Sequence, residues 1–175
     1  MSIDILTGQV QSGKTTLLCE ITLELEQKGI GVGGYLNLSV YEKGQLIGYD
    51  LYDLKKKTKH SFLRKQGQRN WEKIGPYSFF PETLQQAKRT VLRTNTVDIC
   101  FIDEIGPYEL EGKGLWPELG VLLKQPSPRL FLTVRENLLD AFLERLGKNV
   151  DKIFNVADGD AHPRIIAHLE KKFGR

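Results

Sequence analysis

Residues Gly8 to Thr15 read Gly-Gln-Val-Gln-Ser-Gly-Lys-Thr, a complete G-x-x-x-x-G-K-[ST] string. Such a string does phosphate chemistry when it joins a strand to a helix, because its backbone N–H groups then point inward where the helix dipole adds positive character. The residues expected around a phosphate chain are Gly8, Gln9, Val10, Gln11, Ser12, Gly13, Lys14, Thr15 and Thr16. Gly8 and Gly13 let the backbone bend and the ligand approach, Lys14 reaches the outer phosphates, and the Thr15 hydroxyl is a candidate Mg²⁺ ligand. The flanking residues agree. Ile3, Ile5 and Leu6 make a short apolar run before the loop, and Leu18, Ile21 and Leu25 recur at helical spacing after it, up to a closing Gly29.

Binding phosphate is not yet breaking a phosphoanhydride, which needs a second element. Val97-Asp98-Ile99-Cys100-Phe101-Ile102-Asp103-Glu104 supplies one, reading as a Walker B strand that is apolar up to its end and acidic where strand meets loop. In open parallel sheets that carboxyl edge is where ligands sit. Asp103 is the candidate to hold Mg²⁺, through a bound water, and Glu104 to polarise or orient the attacking water at a γ-phosphate.

The string Asp103-Glu104-Ile105-Gly106-Pro107-Tyr108-Glu109-Leu110 resembles the D-E-I-G-x-x-E-L signature of the small nucleoside-triphosphatases first described from thermophiles, relatives of the human cancer-related nucleoside-triphosphatase. Similarity extends to the Gly8–Thr15 loop, to Gly33-Gly34-Tyr35, to Gly44-Gln45-Leu46-Ile47-Gly48-Tyr49-Asp50-Leu51, to Ile74-Gly75-Pro76-Tyr77 and to Thr133-Val134-Arg135-Glu136. Asn155-Val156-Ala157-Asp158 departs from the N-R-D-like string that the family often carries after its last strand. The resemblance implies a cytoplasmic, Mg²⁺-dependent hydrolase of modest turnover. It would remove the terminal phosphate from ATP, GTP, CTP and UTP with broad base tolerance. It also implies a P-loop α/β fold, a three-layer sandwich whose central sheet is mostly parallel, with an antiparallel β insertion after the first helix.

Other residues have two readings each. Arg135 follows a strand and either stabilises γ-phosphate charge from the same edge as Lys14 and Glu104, or forms an ion pair with Glu136 or Asp140. Glu109 organises the loop after the Walker B strand or positions water, or else caps and pairs locally. Asn155 and Asp158 have the N-x-x-D spacing of guanine readers without its central lysine, and are candidates for base contact. Tyr35, Tyr77, Trp71 and Trp116 are stacking partners for a base or ordinary packing residues. His60, His162 and His168 are too scattered to suggest a metal.

The elements that must position these groups alternate as α/β. After the first helix, Gly31–Val40 and Leu46–Leu54 read as strands joined by the turn Glu42-Lys43-Gly44-Gln45, with a third at His60–Leu63. A short strand at Tyr77–Phe80 precedes a helix at Glu82–Arg93 with Leu84, Ala87 and Val91 inward, and then comes the Walker B strand. Helices follow at Trp116–Lys124, Glu136–Leu146 and Pro163–Phe173, alternating with strands at Arg129–Val134 and Ile153–Val156.

The 175 residues, 40% hydrophobic, suit one domain, with no leader pattern and no run near the roughly 18 apolar residues of a membrane span. Cys19 and Cys100 read as buried thiols of an intracellular protein, with neither disulfide nor metal spacing. A net charge of +3 excludes a strongly basic nucleic-acid binder overall. Yet Lys55, Lys56, Lys57, Lys59, His60, Arg64, Lys65, Arg69 and Lys73 cluster with only Glu72 opposing them. That stretch is either solvated surface or a nucleotide-proximal or nucleic-acid-binding one. Three classes of function fit: a triphosphate hydrolase, a nucleotide or polynucleotide kinase-like phosphoryl transferase, and a GTP- or ATP-binding adapter. Glu104 beside Asp103 argues against pure binding.

Overall fold

A computed structural model describes residues 2–93, 96–124, 128–147 and 150–174. Strand β1 (Ile3–Gly8) is buried along its whole length and runs into the loop that opens helix α1 (Lys14–Gln27). There follow β2 (Val32–Glu42), β3 (Gln45–Asp53), β4 (Thr58–Arg64), β5 (Lys73–Ile74) and β6 (Tyr77–Phe79), then α2 (Pro81–Leu92) and β7 (Ile99–Ile105). The chain continues through α3 (Pro107–Leu110), α4 (Trp116–Leu122), β8 (Arg129–Arg135), α5 (Leu139–Leu146), β9 (Lys152–Asn155) and α6 (Ala161–Phe173). The short elements β5 and α3 were not expected. The helix expected from Glu136 begins as a 3₁₀ turn over Glu136–Leu138, and the last helix starts at Ala161, so that Pro163 sits in its first turn where a missing N–H leaves no bond unmade.

The strands form one sheet in the order β5-β6-β4-β3-β2-β7-β8-β1-β9. The β2·β7, β7·β8, β8·β1 and β1·β9 pairings are parallel, whereas β2·β3, β3·β4, β4·β6 and β6·β5 are antiparallel. The sheet is therefore mixed rather than mostly parallel, because β2 offers its outer edge to β3 and the antiparallel strands extend the same sheet. Side chains alternate between its faces at a period of two. Ile3 and Ile5 join one core with Leu84, Ala87 and Val91 of α2, Leu119 of α4 and Phe142 of α5. Leu6 joins the other with Leu18, Ile21 and Leu25 of α1 and Ile165 and Leu169 of α6. Gly34, with φ +87°, lets β2 approach β7, since a Cβ there would lie 1.9 Å from the Phe101 carbonyl oxygen.

At the amino end of the parallel strands, buried Asp4 accepts from Arg129 at 2.6 Å and lies 3.0 Å from His168 Nε2, tying α6 to the sheet. Cys100 is buried, but Cys19 is only half-buried, and burial raises both thiols. Among the described residues no helix is long and apolar enough to cross a membrane.

Candidate active site

Three parallel strands, β1, β8 and β7, lie side by side and end at one edge. Gly8 pairs with Arg135, and Val134 with Ile105, so the loop after β1, the end of β8 and the Walker B acids emerge together. The Gly8 position admits no side chain: a Cβ would come within 2.4 Å of Val156 Cγ1 and 2.9 Å of Ser12 Oγ. Gln11 (φ 59°) and Gly13 (φ 90°) take left-handed conformations, which curl the loop into a nest of amides. Gln9, Val10, Gln11, Ser12, Gly13 and Thr16 are exposed around it. Lys14 is buried and donates to the carbonyls of Gly8 at 3.0 Å and Gln9 at 2.7 Å. Burial lowers its pKa, while Glu104 and Asp103 act in the opposite sense.

Asp103 is buried and fully engaged. Its Oδ2 accepts from Thr15 Oγ1 at 2.7 Å and from the Asn37 amide at 3.1 Å, and its Oδ1 accepts from Thr133 Oγ1 at 2.7 Å. Asn37 Nδ2 also donates to the Asp103 carbonyl at 2.5 Å. Burial raises the Asp103 pKa, opposed by these three bonds to the carboxylate. A desolvated carboxylate hydrogen-bonded to a threonine hydroxyl is a hard-oxygen pair of the kind Mg²⁺ takes. Thr133 and Asn37 escaped the sequence reading. The signals were present: Thr133 is two residues before Arg135 in a strand, and Asn37 is polar amid Tyr35, Leu36 and Leu38.

Arg135 Nε donates to Glu104 Oε1, so its acidic neighbour is neither Glu136 nor Asp140. The reason is topological: β8 lies directly against β7, and the ends of adjacent strands bring these two side chains together. Glu109 is buried and lines the same cleft as this pair. It accepts from the Gly106 amide at 3.0 Å and the Leu115 amide at 3.4 Å, fastening the loop that follows β7, and burial raises its carboxyl to about 7.

Asn155 and Asp158 reach the same edge, because Asn155 pairs with Thr7 and the Val156 amide donates to the Thr7 carbonyl at 2.9 Å. One oxygen of each is used locally. Asn155 Oδ1 accepts from the Ala157 amide at 2.9 Å and Asp158 pairs with Arg164 at 3.1 Å, which shapes the turn into α6. Of the aromatic candidates, Trp71 packs on Phe80 with centroids 4.7 Å apart, and Trp116 lies beneath the Arg145 guanidinium at 4.5 Å. Tyr35 and Tyr77 line a cleft of about 580 Å³ that opens beside Glu104 and Arg135 and runs toward the antiparallel strands.

The basic stretch divides in two. Lys57 pairs with Glu26 of α1, and Lys59 and Arg64 with Asp50 of the neighbouring strand β3, acids that lie outside the stretch in which Glu72 alone opposes the cations. The turn carrying Lys55 to Lys57 lies at the end of β3 away from the loop, whereas Lys73 lines the cleft.

A phosphate loop after the first strand, an acidic pair ending a parallel neighbour and α/β layering define the class: a P-loop protein of nucleotide phosphates. A model of the NTPase family matches residues 4–162, and the chain belongs to that family of nucleoside-triphosphatases. The nucleoside-triphosphatase THEP1 of Hyperthermus butylicus is 31% identical over 140 residues, 79% of this chain and 74% of that one. The THEP1 of Methanopyrus kandleri is 28% identical over 129 residues, 73% and 71% of the two chains. In fold, the chain is similar to a human cancer-related nucleoside triphosphatase solved in solution, with a TM-score of 0.76, 24% identity and 98% of both chains covered. It is also similar to the crystal structure of THEP1 from Aquifex aeolicus, with a TM-score of 0.68, 19% identity and 99% of both chains covered.

Proposed function

We propose that residues 1–175 act as one domain that hydrolyses nucleoside 5′-triphosphates, ATP, GTP, CTP and UTP alike, to the diphosphate and phosphate with Mg²⁺. The carrying observation is the meeting of Lys14, the Thr15–Asp103 bond and the Glu104–Arg135 pair at one sheet edge. Thr15 and Asp103 would hold the metal, whose charge, when bound, offsets that developing on the β- and γ-phosphate oxygens. Lys14 would exchange the Gly8 and Gln9 carbonyls for phosphate oxygens. Glu104 would accept a hydrogen bond from water and aim its lone pair at the γ-phosphorus, and Arg135 would steady the charge beside it.

Broad base tolerance is supported by the local engagement of Asn155 Oδ1 with the Ala157 amide and of Asp158 Oδ2 with Arg164, which turns these two oxygens toward the chain's own turn into α6. The unpaired thiols Cys19 and Cys100 support a reducing compartment, the cytoplasm. Phosphate release from each of the four triphosphates, with Mg²⁺ and with a chelator, tests the proposal. Metal-dependent release from all four is expected; release unaffected by chelator, or none at all, refutes it.

A further inference from the structure

The cleft beside Glu104 is larger than one water requires. At about 580 Å³ it falls within the range of small-ligand sites, ~300–1,000 Å³. One wall is built by the antiparallel strands, with Tyr49, Lys73 and Tyr77, and the facing wall by the loop after β7, with Tyr108. Val10 and Gln11 of the phosphate loop, together with Glu104 and Arg135, stand at one end. The cleft therefore begins where a γ-phosphate would end, on the side of β1 opposite β9 and Val156.

Its chemistry is graded along its length. The end beside the phosphate loop holds the Glu104 carboxylate, ion-paired with Arg135, and a carboxylate there can accept the proton of an incoming O–H. The middle is aromatic: Tyr49 and Tyr77 meet edge to face with centroids 5.5 Å apart, giving a surface on which a base can stack. Two lysines also line the cleft. Lys113 pairs with Glu111, whereas Lys73, on the antiparallel wall, has no acidic partner among the described residues. An unpaired cation in a cleft with an aromatic surface fits a phosphate group attached to a nucleoside.

We propose that this cleft is a second-substrate site for a nucleoside 3′-phosphate, free or at the 5′-hydroxyl end of a strand, and that the protein transfers the γ-phosphoryl group to its hydroxyl. The inference rests on the role given to Glu104 above. In the transfer, the acceptor oxygen forms a bond to the γ-phosphorus while the bridge to the β-phosphate breaks. The nucleoside diphosphate leaves, and the acceptor proton passes to the Glu104 carboxylate. Water, when no acceptor is seated, takes the same position and gives hydrolysis.

The test incubates the full chain with Mg²⁺ and ATP radiolabelled in its γ-phosphate, alone, with nucleoside 3′-monophosphates, and with short single strands ending in a 5′-hydroxyl. Label in inorganic phosphate is then resolved from label on the acceptor. Labelled acceptor is expected, and charge reversal in Lys73→Glu should cut the ratio of transferred to released phosphate by roughly tenfold. Label on the mononucleotide alone assigns the cleft to free nucleotides, and label on the strand assigns it to strand ends; either supports the site. Phosphate release without labelled acceptor in any arm overturns the transfer and leaves hydrolysis standing. No label in phosphate or on an acceptor in any arm removes the hydrolytic reading and the inference with it. An equal fall of transfer and release in Lys73→Glu overturns the assignment of the cleft as the acceptor site.

Discussion

The Thr15 hydroxyl donates to Asp103 Oδ2 at 2.7 Å, joining two residues 88 positions apart. Asp103→Asn keeps the size of the side chain but gives up one acceptor and the charge. Hydrolysis at limiting Mg²⁺ should fall by roughly 10- to 100-fold and recover in part as the metal is raised. A Mg²⁺ titration of steady-state rates checks this; a defect of constant size across the series would separate Asp103 from the metal.

Glu104→Gln leaves Thr15, Asp103 and the metal pair in place. If Glu104 orients water, its loss acts in the transition state, so kcat should fall by roughly 10² to 10⁴ with little change in triphosphate affinity. Single-turnover hydrolysis beside equilibrium binding measures both quantities. Near wild-type chemistry would remove Glu104 from its assigned role and make Glu109 the next residue to test.

Among the described residues Lys14 Nζ bonds to the Gly8 and Gln9 carbonyls of its own loop, so Lys14→Ala should leave the fold intact. Triphosphate affinity should drop by roughly a hundredfold, the scale of hydrogen bonds between a cation and phosphate oxygens. Titration of a fluorescent triphosphate analogue reads the affinity, and thermal unfolding reads the fold. Unchanged affinity would mean that the loop is not the site.

Steady-state rates for ATP, GTP, CTP and UTP should agree within about tenfold, or roughly 1.4 kcal/mol of discrimination. A preference approaching a thousandfold would return Asn155 and Asp158, or a stacking aromatic, to consideration as base readers.

Burial raises the Glu109 carboxyl from 4.5 to about 7. The native state therefore binds more protons than the unfolded chain between those values, and stability from this group is present at low pH and lost as pH climbs through the window. The whole effect is at most about 3 kcal/mol. Glu109→Gln abolishes the titration, so its stability relative to wild type should improve from pH ~5 to pH ~8. Denaturant unfolding of both proteins at the two pH values gives the comparison, and a constant difference would show that the carboxyl does not titrate there.

Local pattern was enough for much of this. The apolar run, the glycines and the helical recurrence of Leu18, Ile21 and Leu25 identify strand, loop and helix because each is formed by neighbours in sequence. The same holds for α2, whose Leu84, Ala87 and Val91 face one core as their spacing implied. The acids at the end of an apolar strand likewise marked the edge where the phosphate loop and Arg135 emerge, since a strand buried on both faces leaves only its end for charge.

Strand order is another matter. That β8 inserts between β1 and β7 depends on hydrogen bonds among segments remote in sequence, and hydrophobic periodicity carries no record of which edge a strand will pair with. From that one adjacency follow the Arg135–Glu104 pair and the Thr133 bond to Asp103, neither visible in the chain itself. The Glu26 counter-charge on Lys57 was hidden for the same reason, because Coulomb interactions are set by distance in space. Residue types and spacing located the loop of glycines and the acidic strand end, because both are local patterns; packing chose which side chains stand beside them, and opened the cleft at their side.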